Sequence, residues 1–367
     1  MKKRFILPLI ILCIALLLNV IARLSTGFSD FYVMNIFPVI STPFIFLSGL
    51  LPFSIGEMMI LLGIILLLVG VPLFIVLLII KKHKRRIIAT AFSSALLWII
   101  TFVFTTETLN CFIMYHCTPF SERYFPSSQS HNNDELTQLY ELLINESNAL
   151  AKEVQRDEKG CFVLSVDLMP TAEKAMKNAS EKYPQLAGYY PDAKPVAFSF
   201  VMSQMGLLGI YFPFSLEANY NAHMCQVNLP NTVCHEYAHL KGIIQEDEAG
   251  FIAFIASSQS ESADFRYSGY LNALEYVHNQ IYTNNVSDAF YLTDTISPEV
   301  KKDWFSFLPD DYWEENKEKE IISTETVDTI SSVATDTSLK INGVSDGIES
   351  YNRMVTLLLD YYFPPEI

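Results

Sequence analysis

Two histidines and four acids in one short stretch are the residues of this chain whose spacing could do chemistry. The stretch is 231–253, NTVCHEYAHLKGIIQEDEAGFIA, with His235, Glu236 and His239 followed by Glu246, Asp247 and Glu248. Residues four apart on an α-helix project from the same face, so His235 and His239 present two imidazoles to one point. That is half of a tetrahedral zinc site. Glu236 follows the first histidine and reaches a water there without binding the metal itself, the general-base place of an H-E-x-x-H hydrolase.

The elements that must position these groups are a motif helix and a partner. Pro230, Asn231 and Thr232 supply a helix start, and Gly242 supplies a stop. A second helix is expected to begin in the acid cluster, where carboxylates suit the N-terminal dipole, and to continue as AGFIAFIASS. One of those acids packs back as third ligand. Glu248 is favoured, because Glu248, Ile252 and Ile255 can share a face toward the motif helix; Glu246 and Asp247 are the alternatives. Cys234 points away from the histidine face, as a small buried residue.

The segment PFSLEANYNAHMCQVNLP, just before the motif, is expected to supply an edge strand that pairs with an extended substrate, with Glu217, Asn219 and Asn221 lining a cleft. After the acid-headed helix, residues 260–284 form another helix whose start carries Arg266, Tyr267 and Tyr270. Tyr267 is the candidate to stabilise the oxyanion of a tetrahedral intermediate. His278, further along, reads as structural.

The whole chain has 367 residues, half of them hydrophobic, and a formal charge of -15. These properties belong to different parts. Residues 1–116 are a membrane domain with three expected transmembrane helices, at about 5–24, 57–80 and 87–106. Segment 31–53 is apolar but carries Pro38, Pro43 and Pro52, and reads as interfacial. Lys2, Lys3 and Arg4 and the cluster Lys81, Lys82, Lys84, Arg85, Arg86 are expected in the cytoplasm. Three crossings then put 117–367 outside it.

Of the 25 basic and 40 acidic residues, 16 and 37 fall after residue 116, a net charge of -21 there. Such a domain does not bind nucleic acid by general electrostatics. The expected partners are the lipid bilayer and a peptide or protein substrate. The six cysteines match no Cys-based metal site, and Cys111–Cys117 and Cys225–Cys234 are the candidate disulfides. A polar stalk, Thr118 to Asp134, is expected to lead into an amphipathic helix, Glu135 to Asp157, a second helix, Thr171 to Tyr183, and β-like segments VAFSFVM and LLGIYF. Later helices are expected at 313–335 and 347–361.

The strings GIYFPFSLEANYN, CHEYAHLKG, EDEAGFIAF and FRYSGYLNAL, with FSIGE before the second span and the late SLKINGVSDGIESYNRMV, resemble the bacterial membrane-protein family catalogued as domain of unknown function 3810. The resemblance covers nearly the whole chain. It implies a zinc-dependent peptidase with His235 and His239 as ligands, Glu236 as catalytic base and the third ligand within 246–248. EDEAGFIAF is also similar to the E-A-x-F-x-A pattern of gluzincin-like peptidases, which favours Glu248, although Gly250 stands where that pattern has Asn or Asp.

The expected fold is therefore a set of N-terminal transmembrane α-helices followed by a mainly helical α+β, zincin-like extracytoplasmic domain. The expected function is a membrane-anchored zinc (Zn²⁺) metallopeptidase. The alternatives are a zinc-stabilised envelope sensor or scaffold without activity, which an intact Glu236 argues against, and a hydrolase of a non-peptide cell-wall amide.

Overall fold

In the computed structural model, residues 3–125 and 131–364 are described, and the chain divides into two units. Lys2 and the middle of the expected stalk, 126–130, lie outside the described residues. The first unit is Met1–Cys117 with Phe212–Glu217, and the second is Thr118–Tyr211 with Ala218–Ile367.

The first unit is helical because its sequence is a series of long Leu/Ile/Val/Phe runs whose backbone polar groups can be satisfied in hydrocarbon only within a helix. Four helices are long and apolar enough to cross a membrane. They are α1 (Lys3–Leu24), α2 (Thr26–Gly49), α3 (Ile55–Ile80) and α4, whose regular part is Arg85–Glu107. The fourth, α2, was expected to be interrupted by its prolines. It runs through Pro38 and Pro43 and ends before Pro52; the turn before Pro38 widens into a π-helical stretch, Tyr32–Ile36, that accommodates the break in the hydrogen-bond ladder.

Within this unit α1 and α4 lie side by side in the same direction. Thr101 Oγ1 donates to the Pro8 carbonyl at 3.4 Å, and Asn19 Nδ2 donates to Thr108 Oγ1 at 2.6 Å. Both basic clusters consequently sit at the same end. The Tyr32 hydroxyl donates to the Leu109 carbonyl at 2.8 Å, and Ser48 and Leu51 share a cavity with Phe102 and Asn110. Both halves of α2 thus lie against the C-terminal part of α4. At that end Glu217 accepts from the N–H groups of Ile55 (3.1 Å) and Gly56 (2.8 Å), capping the start of α3.

The second unit is mostly helical. Residues 118–125 are not a stalk: Phe120–Tyr124 is a short helix whose Phe120 and Ser121 are buried. α5 (Asn133–Leu150) opens with a capping box between Asn132 and Glu135 and buries Leu136, Leu139, Leu143 and Leu150. It is followed by the small hairpin β1 (Gln155–Arg156) and β2 (Phe162–Val163), and by α6 (Leu168–Lys182).

A three-stranded sheet then forms in the order β3-β5-β4, from β3 (Lys194–Val196), β4 (Gly209–Phe212) and β5 (Glu217–Asn221). β3 and β5 are parallel, while β4 and β5, joined by only four residues, form a hairpin. Most of the expected strand VAFSFVM is instead a short helix, Ser199–Gln204. The core is completed by α7 (Leu229–His239), α8 (Glu246–Ser258) and α9 (Ala263–Thr283), which pack on one another. Two late helices follow, α10 (Thr324–Ile341) and α11 (Met354–Tyr362). α8 is apolar all round and buried from Asp247 to Ser257, as expected of the central helix in a bundle.

Candidate metal centre

The HEYAH motif occupies the last turns of α7, with Pro230 in the first turn where no intrahelical N–H is needed. Asn231 and Thr232, expected as caps, lie inside the helix. The turn that ends it depends on Gly242, whose φ of 81° an L side chain rarely adopts. That turn swings the Ile243 carbonyl back beneath the motif, 2.7 Å from His239 Nδ1. A carbonyl only accepts, so Nδ1 donates to it and Nε2 is the nitrogen turned the other way.

α8 then begins at Glu246, its first residue, directly opposite that nitrogen. Glu246 Oε2 is 3.1 Å from His235 Nε2 and 3.7 Å from His239 Nε2, and the two imidazole rings stand nearly perpendicular with centroids 4.8 Å apart. Among the described residues, His235, His239 and Glu246 form a group that could hold a metal, with ligand atoms within 4.8 Å of one another.

Glu248 is not in this group. Its carboxylate accepts from Ser121 N at 2.8 Å and from Ser121 Oγ at 2.5 Å. The reason is helical phase: residues two apart on a helix are rotated by about 200°. With Glu246 turned to the histidines, Glu248 must face the other way. Asp247 is paired with Arg353 at 2.9 Å.

Glu236 is buried beside the histidines, and its Oε2 has no hydrogen-bond partner. Its neighbour is Gly209, the first residue of β4; a Cβ there would collide with the Glu236 carboxylate. The Tyr211 ring, on the same strand, lies against His239 with centroids 5.8 Å apart. The strand that borders the motif is therefore β4, at the sheet edge, and not the segment that follows it. β5, which was expected there, is the central strand. Its Asn219 and Asn221 are fully buried, and Asn221 Nδ2 bonds to Ser203 Oγ and the Leu207 carbonyl. Glu217 is spent on the start of α3. None of the three lines the centre.

Electrostatics within the cluster follow from burial and proximity. Burial lowers His235, an effect Glu246 partly offsets and His239 reinforces. For His239 burial also opposes the cation, but Glu246 and Glu236 outweigh it and lift the ring to about 9. Glu246 is pushed up by burial, yet the two imidazoles more than compensate and hold it well below the usual carboxylate range. Glu236 has no comparable partner, so burial dominates and raises it to about 8. His235 and Glu246 remain about one-fifth exposed, whereas His239 and Glu236 are buried, so the cluster opens toward solvent on the His235–Glu246 side.

Tyr267 is elsewhere. It is completely buried, and its hydroxyl donates to Asp303 Oδ2 at 2.7 Å, an oxygen that Arg156 Nη2 also meets at 2.7 Å. That triad ties α9 to the residues around β1 and has no contact with the histidines. Arg266 pairs with Glu153 at 3.3 Å, and His278 bonds to the Tyr140 hydroxyl at 2.7 Å. All six cysteines are free thiols, and Cys234 is fully buried in α7.

No curated protein and no solved structure matches this chain. A family model described as "Protein of unknown function (DUF3810)" matches residues 32–359, which takes in the first unit from residue 32 onward, without α1, together with β4, the motif helix and α8. The chain therefore belongs to the DUF3810 family.

Proposed function

We propose that this protein is a membrane-anchored zinc metallopeptidase with His235, His239 and Glu246 as ligands and Glu236 as general base. The observation that carries this reading is the convergence of both Nε2 atoms on Glu246, with one imidazole already fixed by Ile243. The donor set, two imidazole nitrogens and one carboxylate, is that of three-ligand catalytic zinc sites, which keep a fourth position for water or substrate. Structural zinc sites, in contrast, are usually closed by four protein ligands.

A zinc ion bound there would supply Lewis acidity, polarising a carbonyl and making water acidic. The chain's own residues would do the rest. Ile243 holds His239 in the ligating tautomer. Glu236, buried and without a hydrogen-bond partner at Oε2, takes a proton from the attacking water and returns it to the leaving amine. β4 is a sheet edge beside the base, so an extended substrate pairs along it.

The membrane orientation that accompanies this reading places the basic ends of α1 and α4 in the cytoplasm and the second unit outside it. The parallel course of α1 and α4 supports it, because both basic clusters fall at one end.

The test is zinc content and cleavage of a peptide library by the full chain purified in detergent, as wild type, Glu236→Gln and Glu246→Ala. Wild type is expected to hold one zinc and cleave. Glu236→Gln keeps the metal without cleaving, and Glu246→Ala loses both. A wild-type chain that takes up no zinc overturns the proposal, and zinc without cleavage moves it to a sensor or scaffold.

A further inference from the structure

The first unit contains a cavity of about 550 Å³ between α2, the start of α3, the C-terminal half of α4 and the residues Phe214–Leu216. That volume is in the range of specific small-molecule sites. Four polar side chains line it, and each is already engaged. Ser48 Oγ donates to the Ile45 carbonyl, Thr106 Oγ1 to Phe102 O, Asn110 Nδ2 to Pro213 O, and Ser215 Oγ to Glu217 Oε2. The remaining wall is hydrocarbon, and Phe44, Leu47, Leu51 and Phe102 keep large apolar surfaces exposed around it.

The hydroxyl donors here are all committed and the remaining polar atoms are few against a hydrocarbon wall, whereas water needs two to four polar contacts to occupy a cavity. The occupant must therefore be apolar. Most of the wall belongs to helices long and apolar enough to cross a membrane, so lipid hydrocarbon is the apolar medium such helices would meet. We infer that this cavity is a lipid site that takes one acyl chain of a bilayer phospholipid, inserted between α2 and α4. The chain packs against Phe44, Met59 and Phe102. Specificity comes from shape, since no polar or charged side chain is free to read a headgroup inside the cavity. This inference does not depend on the peptidase reading.

The test uses the full chain reconstituted in phosphatidylethanolamine–phosphatidylglycerol vesicles that carry a phospholipid with a diazirine on its acyl chain. After illumination, labelled peptides are mapped by mass spectrometry. The expected result is labelling concentrated on 40–59, 102–110 and 214–216, reduced several-fold by Met59→Trp, which fills the cavity. Ile79→Trp, a substitution on an exposed apolar face of α3, leaves the labelling unchanged. Labelling spread evenly over α1, α3 and α4 and indifferent to Met59→Trp overturns the site. So does labelling from a diazirine fatty acid that phospholipid cannot displace, which would assign the cavity to free fatty acid. Co-purification of a polypeptide cross-linked to the same residues would overturn it as well.

Discussion

His239 Nδ1 lies 2.7 Å from the carbonyl oxygen of Ile243, and this one hydrogen bond decides which nitrogen of the motif's second histidine faces Glu246. It exists because Gly242 takes a left-handed conformation between them. Replacing Gly242 with Ala strains that turn and loosens the imidazole. Zinc affinity is expected to fall about 10–100-fold, as for other losses of an outer partner. Titration against a fluorescent zinc chelator measures it.

Glu246 and Glu248 should separate cleanly. Glu246→Ala is expected to lower zinc affinity by more than about 100-fold, beyond what outer partners contribute. Glu248→Ala should leave zinc stoichiometry at wild-type level but cost about 1–3 kcal/mol of stability, because Ser121 N and Oγ lose a buried acceptor. Zinc analysis beside denaturant unfolding distinguishes the two. Loss of zinc in Glu248→Ala with retention in Glu246→Ala would reverse the assignment of the third ligand.

Tyr267→Phe removes a hydroxyl that donates to Asp303, in a triad completed by Arg156. The expected result is a loss of about 1–2 kcal/mol of stability with zinc content and any cleavage rate unchanged. A large fall in kcat at unchanged stability would restore the oxyanion role that the sequence suggested.

Glu275, on α9, accepts from the Phe305 N–H, but burial dominates and pushes its carboxyl up to about 7. Between the ordinary carboxylate range and that value the folded chain binds more protons than the unfolded one, so this group's contribution to stability falls as pH rises. Glu275→Gln removes the dependence. The variant's advantage over wild type should therefore grow by about 1–2 kcal/mol from pH 5 to pH 8, measured by urea unfolding at each pH.

The course of α2 makes a labelling prediction. In a chain with its native cysteines replaced, single cysteines at Ser25 and Phe53 flank α2, and one at Lys84 precedes α4. An impermeant maleimide added to intact cells is expected to label the first two and not the third. Labelling of Ser25 without Phe53 would mean that α2 crosses the bilayer.

Much of this was legible in the sequence, and the boundary of legibility has physical causes. The apolar runs and the His235–His239 spacing are local properties of helices, and both appear as helices. The motif helix, its glycine stop and the acid-headed partner follow the same local rules. Which acid faces the histidines could not be read, because the choice among 246, 247 and 248 is a question of rotation about α8, fixed by how α8 packs on α7 and on Ser121. Tyr267 failed for a similar reason: proximity in sequence to the motif says nothing about which side of α9 faces it. The identity of the edge strand was hidden because GIYF and EANYN have similar patterns, and only the strand order separates an outer strand from a central one. The contact between Gly209 and Glu236 joins residues 27 positions apart and left no periodic trace. A glycine at the start of the β-like segment LLGIYF was the one available hint, since glycine within a strand often marks a close approach.

Gly209 also gives the family a built-in diagnostic. The gap between β4 and the Glu236 carboxylate is filled once a hydrogen is replaced by a methyl, so any ordinary single substitution at this position displaces that carboxylate while leaving the histidines intact. A relative that keeps HEYAH and Glu246 but carries a side chain at the position of Gly209 would, on the proposed reading, retain the candidate metal ligands and lose the placement of Glu236. On the proposed reading, comparing that single column with Glu236 across relatives would separate chains that can hold the carboxylate in place from those that cannot, and the two positions are expected to change together.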